Sequence, residues 1–116
     1  MHDRIYHNPR CSKSRATLEL LKQRGVDIPV IEYQSAPPSK DELREVITLL
    51  GVKPLDIIRS GDDLFADLGL STANGYSDEQ WLDVLAANPK LLQRPIVVRN
   101  GKAAIGRPIE NVMAIL

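Results

Sequence analysis

The sequence predicts an α/β fold in which a mixed four-stranded sheet is flanked by helices and interrupted by a helical insertion. Three observations carry this. The apolar patterns run β-α-β-α, then a helical block, then β-β-α. A strand–helix–strand opening implies a parallel pair joined by a right-handed crossover. The stretch "RPIVVRNGKAAIG" reads as a β-hairpin, because Asn100-Gly101 is a strong two-residue turn signal between apolar runs. That hairpin supplies an antiparallel partner for the first pair.

The elements follow in order. "RIYHN" holds a short β-like run at residues 4 to 7. "SKSRATLELLKQRG" has helical spacing: Leu18 and Leu21 share a face, Ala16 and Thr17 lie near its edge, and Leu20 is beside it. Cys11 or Ser12 is placed as its N-cap and Gly25 as its stop. "VIEY" after Pro29 is the second strand, and "QSAPP" then breaks the pattern. "SKDELREVITLLG" is a second helix with a capping signature, Ser39 followed three residues later by Glu42, and an apolar stripe of Leu43, Val46, Ile47 and Leu50. Between about residues 53 and 88 "PLDIIR", "DDLFADLG" and "SDEQWLDVLAANP" give several short helices, with Ser77 and Gln80 repeating the capping pattern. "RPIENVMAIL" closes as a helix with Pro108 suited to its first turn. At 116 residues the chain is expected to be one domain, 1–116, with 53–88 as the insertion, because the hairpin must complete the first sheet.

Composition excludes several function classes. Lys plus Arg and Asp plus Glu are both 15, so the net charge is zero and no global basic field gathers nucleic acid. Aromatics are 4%, too few for a base-stacking platform. The start "MHDRIYHNPR" is polar and charged and does not read as a signal peptide. No apolar run approaches the roughly 18 residues of a membrane span. One cysteine cannot form an internal disulfide, and two histidines with one cysteine give no metal-ligand spacing. The expectation is a soluble protein of a reducing cytoplasm with no metal.

The single cysteine is the residue most able to carry chemistry. Cys11 falls where a strand gives way to a helix. A helix N-terminus favours the thiolate through its dipole and its unpaired N–H groups. Arg10, Lys13 and Arg15 add positive charge, and the amides that follow Cys11 can cradle an anion. The alternative is a small buried hydrophobe, against which its polar neighbours speak. His7 can hold Cys11 as an ion pair or orient the loop through Asn8. Arg15, four residues on, faces the same side of the helix, or else it pairs with Glu19. There is no Walker-type loop and no GxGxxG.

"YHNPRCSKSRATLELL", "VIEYQSAPPSKDEL", "LLGVKPLDIIRSGDDLFADLGL" and "NPKLLQRPIVVRNGKAAIGRPIENVMAIL" resemble, in this order and over nearly the whole chain, the glutaredoxin-like arsenate reductases called the ArsC family. The resemblance implies a thioredoxin-like fold with a helical insertion. It implies that Cys11 is the nucleophile, supported by His7 and Arg15. It also implies an oxyanion site of Arg59, Arg94 and Arg107, and a cis-proline at Pro95 beside it, although an X–Pro bond is by default trans. Guanidinium forks suit a tetrahedral oxyanion such as arsenate. Arg94 precedes the first hairpin strand and Arg107 follows the second, so antiparallel pairing brings them to one end of the sheet. Family members commonly read Cys-Gly-Thr-Ser-Arg, whereas Ser12 and Lys13 stand here. The change lies in the anion-cradling loop and bears on the substrate.

The resemblance implies arsenate reduction with no bound cofactor, with glutathione as co-substrate and glutaredoxin as partner. The chain has no resolving cysteine, so the second thiol must come from outside. Two alternatives stand beside this. One is a glutathione-linked thiol–disulfide oxidoreductase without arsenate activity. The other is an Spx-like transcription regulator, which usually carries Cys-x-x-Cys where this chain has Ser14.

Overall fold

Four strands form one sheet in the order β2-β1-β3-β4. They are β1 (Arg4–His7), β2 (Val30–Glu32), β3 (Ile96–Arg99) and β4 (Lys102–Ile105). The computed structural model describes residues 2–116. β1 pairs in parallel with β2 and antiparallel with β3, and β3 pairs antiparallel with β4. This is the mixed sheet the sequence predicts. Asn100 and Gly101 both have positive φ, 53° and 76°. That is the geometry of a two-residue turn matching the twist of its strands, and it explains why Asn-Gly stands there.

Helix α1 (Ser12–Gln23) joins β1 to β2. It starts at Cys11, which has extended backbone angles. It ends at Arg24, where Gly25 N–H donates to Lys22 O and Val26 N–H to Leu21 O, closing the last turn. In register, Ile5 lies opposite Val30 and Val97, and Val97 opposite Ala104. These side chains share a face with period two. Ile5, Leu21, Ile28, Val97, Ala104 and Val112 form the core there, with Leu18 and Leu20 half-buried against it. The buried face of α1 is Ser14, Thr17 and Leu21, so two polar residues occupy positions beside the expected leucine face. The closing helix α5 is short, Glu110–Met113, with Ile109 at its N-cap. Pro108 is therefore not in its first turn as expected. It lies in the turn that leads in, its carbonyl accepting from Asn111 N–H at 3.1 Å.

The chain divides into two units, Met1–Ala36 with Arg94–Leu116, and Pro37–Gln93. The first holds the sheet. In the second, α2 (Lys40–Leu50) packs against α4 (Asp78–Ala87) and the 3₁₀ turn Pro54–Ile57. Leu43 and Val46 bury the α2 stripe, and Trp81 of α4 stacks on Phe65 of α3 (Asp63–Asp67) at 6.0 Å. Ser77 and Gln80 cap α4 reciprocally, at 3.2 and 2.9 Å. Ser39 caps α2 by accepting from Glu42 N–H.

Leu21 sits at the junction of α1, the sheet and α5, 1% exposed. Leu21→Ala removes its apolar area and leaves a cavity. It is expected to cost about 2–5 kcal/mol, read as a lower urea midpoint with unchanged slope.

Candidate active site

The loop between β1 and α1 is built to present Cys11 at the start of a helix. Cys11 N–H donates to Asn8 O at 3.0 Å, and Asn8 Oδ1 accepts from Arg10 N–H at 3.0 Å. Asn8 N–H in turn donates to Ser14 Oγ at 3.0 Å. These bonds close the loop Asn8–Cys11 on itself and on the first turn of α1. From outside, Arg15 Nη1 donates to Pro9 O at 3.0 Å. The structure thus gives Arg15 a place as a clamp on the loop backbone.

His7 directs Nδ1 at Ser14 Oγ, 2.6 Å away. Ser14 Oγ already accepts from Asn8, so its proton is free to point at an unprotonated Nδ1. Burial lowers the His7 pKa, reinforced by Arg15 and Lys22 and opposed by Glu32 and the hydrogen bond with Ser14. The Ser14 bond ties the His7 ring to the first turn of α1.

Cys11 is 8% exposed and free. Burial alone pushes its pKa up. The Ser14 amide, the Arg94 guanidinium and the Lys13 amide pull the other way and prevail, so the thiol lies below its ordinary value. Arg107 Nη2 stands 3.3 Å from Sγ. The same guanidinium donates through Nε to Arg94 O at 2.7 Å. Sulfur, Arg94 and Arg107 are therefore brought together at one end of the hairpin, where Ile96 pairs with Ile105. Both Arg94–Pro95 and Arg107–Pro108 are cis. Arg59 belongs to the second unit. There its Nη1 meets Asp62 Oδ2 at 3.0 Å, and Asp62 Oδ1 caps α3 through Leu64 N–H. Among the described residues no cluster of three or more His, Cys, Asp or Glu could hold a metal. Nor is any helix among them long and apolar enough to cross a membrane.

Three site residues escaped the sequence reading. Ser14 and Thr17 are fully buried on the core face of α1, and the signal was there: polar residues spaced with Leu18 and Leu21. The third, Gly106, is a close approach. A Cβ on it would lie 2.7 Å from both Pro95 Cγ and Thr17 Oγ1. Its N–H donates to Pro95 O at 2.9 Å, and Arg107 follows it directly.

The ArsC family's sequence model matches residues 6–115. A Neisseria meningitidis protein (serogroup A) named arsenate reductase is 46% identical over 114 residues, 97% of either chain. The uncharacterized YfgD of Escherichia coli K12 is 46% identical, over 97% of this chain and 95% of its own. The solved arsenate reductase from Vibrio cholerae superposes with a TM-score of 0.93 at 43% identity, over 100% of this chain and 98% of its own. The fold is thioredoxin-like, as expected.

Three outcomes test the geometry. The midpoint of the Cys11 alkylation rate against pH is expected below the ~8.5 of a free thiol. Arg94→Gln removes a group that favours the thiolate, so it should move that midpoint up. Gly106→Ala should force Pro95 or Thr17 aside and, by displacing Arg107, also raise the midpoint. A crystal structure of the variant would show the shift.

Proposed function

The chain belongs to the ArsC family, and from that premise we propose that it reduces arsenate to arsenite. Cys11 is the nucleophile and Arg94 and Arg107 bind the oxyanion. The observation that supports this best is the Cys11 sulfur lying 3.3 Å from an arginine that is itself bonded to Arg94. Paired guanidinium groups beside a thiolate suit a reaction that brings a tetrahedral anion to sulfur. Arg59 joins the oxyanion residues on the family resemblance. His7 and Arg15 support the thiolate by holding its loop.

The Cys11 thiolate attacks arsenic, and one arsenate oxygen leaves, protonated, as water. Arsenic remains pentavalent in the sulfur–arsenic adduct. A glutathione thiolate then attacks Cys11 Sγ. A sulfur–sulfur bond forms, the sulfur–arsenic electron pair passes to arsenic, and arsenite departs reduced by two electrons. A glutaredoxin thiolate attacks the glutathione sulfur and returns Cys11 as thiolate. The chain has one cysteine, so both reducing thiols are external. The cytoplasmic glutathione pool suits that demand.

The test is arsenite production with glutathione and glutaredoxin. Arg94→Lys and Arg107→Lys keep the charge but lose the fork, and each is expected to lower turnover roughly tenfold or more. Full activity in both variants would discard the clamp. A reactive Cys11 that yields no arsenite would instead favour thiol–disulfide exchange.

A further inference from the structure

A groove of about 300 Å³ lies beside the candidate site, lined by Lys13, Ala16, Gly106, Pro108, Ile109 and Glu110. Its walls are tied to the reacting sulfur twice. Lys13 gives its backbone N–H toward Cys11. Gly106 and Pro108 flank Arg107, the residue against which Sγ lies. The volume falls at the small end of ligand clefts, which span about 300–1,000 Å³. That suits a small peptide and not a folded partner.

The charges of the groove select further. Lys13 and Glu110 are both exposed, and among the described residues neither side chain has a hydrogen-bonding or ionic partner. One is a cation and one an anion, and the apolar Ala16, Pro108 and Ile109 line the same groove. A ligand complementary to it carries a carboxylate, an ammonium and an apolar part.

We infer that this groove is the docking site for the external thiol, and that it recognises a zwitterionic peptide thiol of the glutathione class. Lys13 takes a carboxylate and Glu110 the ammonium. The inference rests on the proposed use of an external thiol at Cys11 and names where that thiol binds. A second cleft, of about 280 Å³, includes Arg10 and Glu32 among its residues and is bordered by His7 and Asn8. It adjoins the His7–Ser14 bond, whereas the sulfur lies against Arg107.

The experiment leaves arsenic out. Cys11 of the full chain is loaded as a mixed disulfide with thionitrobenzoate. An incoming thiolate attacks Cys11 Sγ, the new sulfur–sulfur bond forms, and coloured thionitrobenzoate leaves with the electron pair. Rate constants are measured for glutathione and for mercaptoethanol, which lacks both charges. Their ratio cancels any general change in Cys11. The glutathione rate should saturate. Lys13→Gln and Glu110→Gln should each lower the ratio about threefold to fivefold, the range of an exposed charge pair. An unchanged ratio in both variants overturns the inference. So does a fall seen only in Arg10→Gln or Glu32→Gln. Arsenite assays on the same proteins separate the two readings. Selectivity that depends on Lys13 and Glu110 without arsenite formation supports the groove and counts against the reductase. Arsenite formation with an unchanged ratio overturns the groove alone.

Discussion

The Arg107 Nε–H that donates to the Arg94 carbonyl at 2.7 Å fixes the geometry on which the site depends. Arg107 follows β4 and Arg94 precedes β3, so the bond straps the open end of the hairpin. Gly106 N–H to Pro95 O is a second strap one residue along. With Nε committed to the backbone, the guanidinium plane is held and Nη2 faces sulfur. A free arginine samples many rotamers, and here part of that freedom is given up in folding.

The helix that carries Cys11 is adapted to the same end. Ser14 and Thr17 lie on its core face where apolar residues would give more stability, and buried hydroxyls cost free energy unless bonded. Both are satisfied. Thr17 Oγ1 donates to Lys13 O, and Ser14 Oγ meets His7 and Asn8. Thr17 also packs close to Gly106, so the residue before Arg107 is confined between α1 and Pro95. Polar burial on α1 thus binds the Cys11 loop to one side of the helix and the Arg107 turn to the other.

The sheet was legible in the sequence because its signals are local. Asn100-Gly101 fixes the hairpin, and the β-α-β start fixes the parallel pair. The convergence of Arg94 and Arg107 also followed from the antiparallel register. The packing of α2 on α4 did not, since no local pattern records it. Pro108 misled for a related reason: proline favours a first helical turn, but here the chain is still turning at Pro108 and the helix begins later. Gly106 was invisible because its need for a bare Cα comes from Pro95 and Thr17, distant in sequence. The role of His7 stays open in the sequence because its partner Ser14, seven residues on, meets it only once α1 has formed.

Ser14 also bears on the thiol chemistry proposed for Cys11. Cys11 and Ser14 lie about one turn apart at the start of α1, the spacing at which a second thiol would resolve an adduct on the first. Ser14 is instead fully buried, its oxygen shared between His7 and Asn8. A thiol there would be a poorer acceptor for the Asn8 amide and a weaker donor to His7, so the loop that presents Cys11 would lose its fastening. The position serves the geometry of the Cys11 loop. On the proposed mechanism the thiol that releases Cys11 comes from solvent to a sulfur only 8% exposed, and a binding surface beside so small a target turns a collision into an oriented attack.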